Sequence, residues 1–153
     1  MEYSNIFKFR IIPVSEKLEI WNTELLAAGR WDNLFYRGQF FDSEIDHIRC
    51  ITPCRNCYLS WFNISFADFS ENKVEQLVAD GFLTNDIIRE KGMAEVATFG
   101  DSFYYKTNIE ASANYVQVKC EHCGSKHLLI LGMTETQPAL YGGQLQGIWR
   151  IKE

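Results

Sequence analysis

The sequence has no run of 18 or more apolar residues, which argues against a helix that spans a membrane. It also has no cluster of Lys and Arg. Fifteen basic residues are scattered among 20 acidic ones, for a formal charge of −5. Nucleic-acid binders draw much of their affinity from phosphate neutralisation and usually carry a basic stripe, so the even spread disfavours that class. There is no P-loop, G-x-G-x-x-G, G-x-S-x-G or H-E-x-x-H, which removes the motif-bearing nucleotide, hydrolase and metalloprotease chemistries. The opening "MEYSNIFKFRIIPV" does not read as a secretory signal, and the expected location is cytoplasmic. Repeats, low-complexity tracts and linkers are missing too, so residues 1–153 read as a single domain.

What is present is a foldable chain. Hydrophobic residues make up 46% and aromatics 14% of 153 residues, enough for a real core. "IFKFRII" alternates Phe7, Phe9 and Ile11 with Lys8 and Arg10, the pattern of a half-buried strand. From Ser15, the spacing of Leu18, Trp21, Leu25 and Ala28 predicts a helix stopped by Gly29. A strand is expected near Ile45–Ile51, and another in "YLSWFNISF". Ser70 is the expected cap of a helix bearing Val74, Leu77 and Val78, and Thr84 that of a short helix ending near Gly92. "GDSFYYKTNIEASAN" reads as a surface loop, and "YVQVK", "HLLILGM" and "GIWRIKE" as three strands. The expected class is α+β, a mostly antiparallel sheet with two or three helices.

The chemistry lies in five cysteines. Cys54 and Cys57 form one C-x2-C pair in "PCRNC", and Cys120 and Cys123 a second in "CEHCG". In a reducing compartment, closely spaced thiols hold metal more often than they form disulfides. A C-x2-C turn offers two thiolates on one side of a tetrahedron, and two such turns complete it. The second pair, with its strand, C-x2-C-G turn, strand and further strand, resembles a zinc ribbon spanning residues 115–153 plus the 54–57 turn. The resemblance implies a structural Zn²⁺ held by Cys54, Cys57, Cys120 and Cys123. The chain departs from compact ribbons in placing 62 residues between the pairs. Closing that loop costs roughly 3.7 kcal/mol in its length-dependent part, against about 10–16 kcal/mol from structural zinc. The spacing is therefore affordable.

Four thiolates around Zn²⁺ leave a local charge of −2, which Arg55, Lys119 and Lys126 are placed in sequence to offset. Cys50 reads as a small buried hydrophobe, with replacement of a first-pair ligand as the alternative. His122 reads as an exposed knuckle residue, and His127 and His47 as substitute ligands. Iron suits four cysteines as well. "PCRNC" matches part of a zinc deaminase motif, but the upstream H-x-E is missing, because His47 is followed by Ile48 and Arg49. Four cysteine ligands also leave no coordination position for water. No catalytic residue is assigned.

The leading expectation is a non-enzymatic protein-binding module. By size and acidity it resembles bacterial toxin-neutralising (immunity) proteins, which implies a basic protein partner and no membrane. Glu135, Gln137 and Tyr141, in the segment joining two predicted strands, are the candidate contact residues. A long hairpin packed by Leu140, Tyr141 and Leu145 is the competing reading of that segment. The alternative function is a nucleic-acid-associated ribbon, with Arg55, Lys119, Lys126 and Arg150 on phosphate and Trp149 or Tyr141 stacking on bases.

Overall fold

The computed structural model describes residues 6–13, 25–29, 34–39, 49–107, 111–137 and 140–151. The strand elements are β1 (Phe9–Ile12), β2 (Leu25–Gly29), β3 (Leu34–Gln39), β4 (Arg49–Pro53), β5 (Trp61–Ser65), β6 (Glu95–Phe99), β7 (Ser102–Lys106), β8 (Asn114–Cys120), β9 (Lys126–Gln137) and β10 (Leu140–Ile151). Three short helices, α1 (Phe66–Phe69), α2 (Val74–Ala79) and α3 (Asn85–Glu90), lie between β5 and β6. The chain is α+β, and every strand pairing described is antiparallel.

The main sheet runs β1-β8-β9-β10-β2, with β3 also on β10. Its register fixes two faces, because side chains alternate along each strand. Val116, Val118 and Cys120 of β8 share one face with Leu129 and Leu131 of β9 and Leu145 and Ile148 of β10. This face is covered by the β4–β5 hairpin and α1, through Cys50, Phe62, Ile64 and Phe69. Tyr115, Leu128, Ile130, Trp149 and Ile151 occupy the other face, packed against Val74 and Leu77 of α2, Ile88 of α3 and Tyr105 of β7. Burial on both faces explains why "HLLILGM" is continuously apolar rather than alternating.

Local signals account for the short elements. Thr84 caps α3, its hydroxyl accepting from Ile87 N–H at 3.2 Å. Ser65 N–H donates to Asp68 Oδ2 at 2.7 Å at the start of α1. The predicted helix cap at Ser70 is corrected: Ser70 ends α1, and Lys73 precedes α2.

Three further expectations change. Leu25–Gly29 is a strand on β10, not the end of a helix. "LLAAG" is apolar throughout, so it fits a helix stripe or a strand equally, and sheet pairing decides. The part of that predicted helix before Leu25 lies outside the described residues. The strand expected at Ile45–Ile51 is described from Arg49 and continues to Pro53. "GDSFYYK" is not loop: Ser102–Lys106 pairs with Glu95–Phe99 across a two-residue turn at Gly100 and Asp101. Gly100 sits at φ +61, a conformation that favours glycine at the first turn position.

Within the segment 131–149, residues 131–137 and 140–149 form strand. β9 and β10 pair over their length as a hairpin, with Tyr141 opposite Glu135 and Leu140 opposite Gln137. The hairpin reading of the segment is the one the backbone adopts. Leu145 is buried as that reading expects; the side chains of Glu135, Gln137, Leu140 and Tyr141 lie outside those described.

Candidate metal centre

Each C-x2-C pair sits at the tip of an antiparallel hairpin. Cys54 and Cys57 follow β4 and precede β5, and Cys120 and Cys123 join β8 to β9. The two turns are built alike. Cys54 O accepts from Tyr58 N–H at 3.1 Å, and Cys120 O accepts from Gly124 N–H at 2.7 Å. Cys54 N–H donates to Ser60 O at 2.8 Å, and Cys120 N–H to Ser125 O at 2.9 Å. The residue after the second cysteine has positive φ in both, +59 at Tyr58 and +79 at Gly124. The equivalence ends there, because the first knuckle carries one extra residue, Leu59, before its serine.

Lys8 stitches the two knuckles together. Its carbonyl accepts from Ser60 Oγ at 2.9 Å and from Glu121 N–H at 2.8 Å. The four thiols converge as a result, with their Sγ atoms all within 4.8 Å of one another. Cys54 Sγ is 3.7 Å from Cys123 Sγ, and Cys57 Sγ is 3.8 Å from Cys120 Sγ. A tetrahedron with Zn–S bonds of about 2.3 Å has edges of about 3.8 Å. The two separations match that edge, so the donor set fits a tetrahedral thiolate-bound ion.

Burial and hydrogen bonding set the four thiols apart from one another. Burial pushes Cys54 up to about 12, partly opposed by the N–H groups of Cys57 and Asn56, and the thiols of Cys123 and Cys120 raise it further. Cys120 is raised by the same main cause, burial. Burial also acts to raise Cys123, but the Asn56 side chain, the Ser125 N–H and the thiols of Cys120 and Cys54 outweigh it and bring it down to about 7. A thiol binds a metal ion as the thiolate, so a divalent ion bound here would favour ionisation of all four.

Surrounding side chains hold the knuckles in place. Asn56 Oδ1 accepts from Arg150 Nη1 at 2.7 Å while its side chain bonds the Cys123 sulfur. Arg55 is buried, donating from Nη2 to Thr52 Oγ1 at 3.1 Å and from Nη1 to the Pro53 carbonyl at 3.4 Å. Its backbone N–H donates to His127 Nε2 at 3.2 Å. That bond needs a neutral imidazole, and burial, aided by Arg150 and Arg55 and partly opposed by Ser125, holds His127 down to about 4. His127 Nε2 also lies 4.0 Å from Cys54 Sγ. His127 is thus a neighbour that accepts from the knuckle backbone, outside the four-sulfur cluster.

Of the sequence candidates, the structure brings together Cys54, Cys57, Cys120 and Cys123. Cys50 faces the core opposite Ile64, fully buried and pushed up to about 12 mainly by burial, apart from that group. His122 is exposed, as expected of a knuckle residue; His47 lies outside the described residues. Trp149 is buried against the helices and cannot stack on a base, and Arg55 is spent on Thr52 and Pro53 rather than open to phosphate. Sequence reasoning missed Asn56 and Ser60, whose roles depend on which hairpins meet. It also missed the asymmetry after the second cysteine, which is readable as Tyr-Leu-Ser in one knuckle against Gly-Ser in the other. No family model, curated protein or solved structure matches this chain.

Proposed function

We propose that this protein is a non-enzymatic interaction module whose fold is fastened by one structural Zn²⁺ on Cys54, Cys57, Cys120 and Cys123. The observation that carries the reading is the pair of 3.7 and 3.8 Å sulfur separations at the tips of two matched knuckles. A four-sulfur site is closed, with no position for water or substrate, which is the character of structural rather than catalytic zinc.

The first knuckle supplies the surface for a protein partner. Tyr58 and Leu59 are 57% and 65% exposed although the second knuckle makes the same turn with Gly124 and no insertion. A tyrosine in the left-handed region costs of order 1 kcal/mol or more where glycine would be free of strain. Ile51 and Trp61, 50% and 37% exposed, lie on the outer side of the β4–β5 hairpin. Their strand neighbours Cys50, Thr52, Phe62 and Ile64 point inward. Together they make an apolar contact surface continuous with the metal centre, and aromatic anchors of this kind dominate protein contacts. The formal charge of −5 governs encounter with a basic partner, such as a toxin, rather than this contact itself.

Native mass spectrometry of protein isolated gently from its own cells tests both halves. The expected mass is the chain plus one zinc, with a stoichiometric second protein. A double variant, Tyr58→Ser with Leu59→Ser, should keep the zinc and lose the partner. Loss of zinc in that variant, or retention of the partner, would count against the proposed surface.

A further inference from the structure

Three large apolar side chains are exposed away from the knuckle surface, all on the β6–β7 hairpin: Val96, Phe99 and Phe103, at 50%, 82% and 58%. We propose that β6 is a docking edge for a second copy of this chain, the two β6 strands pairing antiparallel about Ala97.

The hairpin's register fixes which backbone groups are on offer. Its two-residue turn makes Phe99 and Ser102 the hydrogen-bonded pair that closes the loop. Pairs alternate along an antiparallel ladder, so Val96–Tyr105 and Thr98–Phe103 are non-hydrogen-bonded pairs. Their N–H and C=O groups point away from the hairpin on both sides. Tyr105 bears this out on the β7 side: its N–H donates to Glu75 Oε1 at 2.6 Å, and its carbonyl accepts from Ala113 N–H at 2.8 Å. That edge is taken. On the β6 side, Val96 and Thr98 have no strand beside them among the described residues, because β6 and β7 form a sheet of two.

Edge strands are ordinarily blunted by Lys, Pro, a bulge or a covering segment. β1, at the edge of the main sheet, carries Arg10 and is followed by Pro13. β5 is covered at its start, where Trp61 N–H donates to the Ile6 carbonyl at 2.7 Å. "EVATF" has no Lys, no Pro and no register shift, and its single charge stands at its first residue.

The strand is its own complement. Full overlap of Glu95–Phe99 with a second copy sets Ala97 against Ala97 and Val96 against Thr98. The two Val96–Thr98 pairs then exchange four N–H···O bonds about a two-fold axis, joining the hairpins into a four-stranded sheet. Ala97 is the smallest residue of the strand, and it takes the close pair on the axis. Charge favours a copy as the occupant. Glu95, the strand's one acid, meets Phe99 of the second copy rather than its own like, and keeps its ion pair with Lys106 at 4.0 Å. Phe99, the most exposed of the three apolar side chains, leaves water against the stems of that ion pair.

The test is sedimentation of the zinc-loaded full-length protein over a concentration series. A monomer–dimer equilibrium is expected below about 1 mM. Thr98→Pro removes an N–H that the hairpin does not use, so the dilute variant should melt with the parent. Its dimer should weaken about tenfold or more, two hydrogen bonds being lost per pair. Ala97→Cys should give a disulfide-linked dimer on mild oxidation, because residues of a non-hydrogen-bonded pair have Cα atoms about 4.5 Å apart. Thr98→Cys should not link beyond the parent level. The linkage decides the matter if Thr98→Pro fails to fold. Tyr58→Ser with Leu59→Ser should dimerise as the parent does, which separates this edge from the knuckle surface. A monomer throughout, a dimer indifferent to Thr98→Pro, or no linkage through Ala97→Cys would overturn the proposal.

Discussion

The sulfur atoms of Cys54 and Cys123 lie 3.7 Å apart although the two residues are 69 positions apart in sequence. Only a fold that brings two hairpin tips face to face produces that contact, and only a shared ion gives four packed thiols reason to ionise together. Replacing Cys54 or Cys120 with Ser should abolish zinc binding and cost several kcal/mol, because metal-binding free energy is folding free energy in such a site. Chelation should lower the melting temperature of the parent protein sharply. Cys50→Ala is the control: metal content should stay at one per chain, with a loss of about 1 kcal/mol for a buried sulfur removed. Metal analysis alongside thermal melts separates the two outcomes.

The four clustered cysteines were legible in the sequence because C-x2-C is a spacing that suits a metal knuckle whatever the rest of the fold. β8 and β9 were legible because their runs are bounded by the Cys120–Gly124 turn. Leu25–Gly29 was not, since an apolar "LLAAG" satisfies a helix stripe and a strand alike until β10 offers its edge. The β6–β7 hairpin was hidden by polar residues around Gly100, although "SFYYK" alternates. The roles of Asn56, Ser60 and Arg150 around the sulfurs depend on long-range docking, which no local pattern encodes.

The two knuckles predict opposite responses to glycine chemistry. Gly124 sits at φ +79 with open space around its missing Cβ, so Gly124→Ala should destabilise through the backbone alone, by about 1 kcal/mol. Tyr58→Gly relieves the same strain at φ +59 and should leave stability unchanged or slightly raised while weakening partner binding. Denaturant melts of the two zinc-loaded variants give both numbers. A large loss of stability in Tyr58→Gly would mean that the ring supports the fold instead of a contact.

His127 accepts the Arg55 amide proton inside the fold. His127→Leu should leave that buried N–H without a partner and cost about 1–3 kcal/mol, with one zinc per chain retained. His127→Gln, which restores an acceptor, should recover part of the loss. Loss of zinc from both variants would instead make His127 a ligand.

Gly147 lies under the Trp149 indole, which occupies the space a Cβ would take. Gly147→Ala should therefore force the ring out of its place between the sheet and the helices, at a cost of about 1–3 kcal/mol. The fluorescence of Trp149 should shift to the red as it gains water, measured against a variant in which the other tryptophans are phenylalanine. An unchanged spectrum and melting temperature would contradict the packing described.

The proposed site holds one zinc by four cysteine sulfurs and nothing else. Zinc K-edge X-ray absorption on the purified protein tests this directly. A single shell of four sulfurs at about 2.3 Å is expected. A nitrogen or oxygen ligand at about 2.0–2.1 Å would contradict it, because the site would then include a histidine or an open position for water, and a purely structural role would no longer follow.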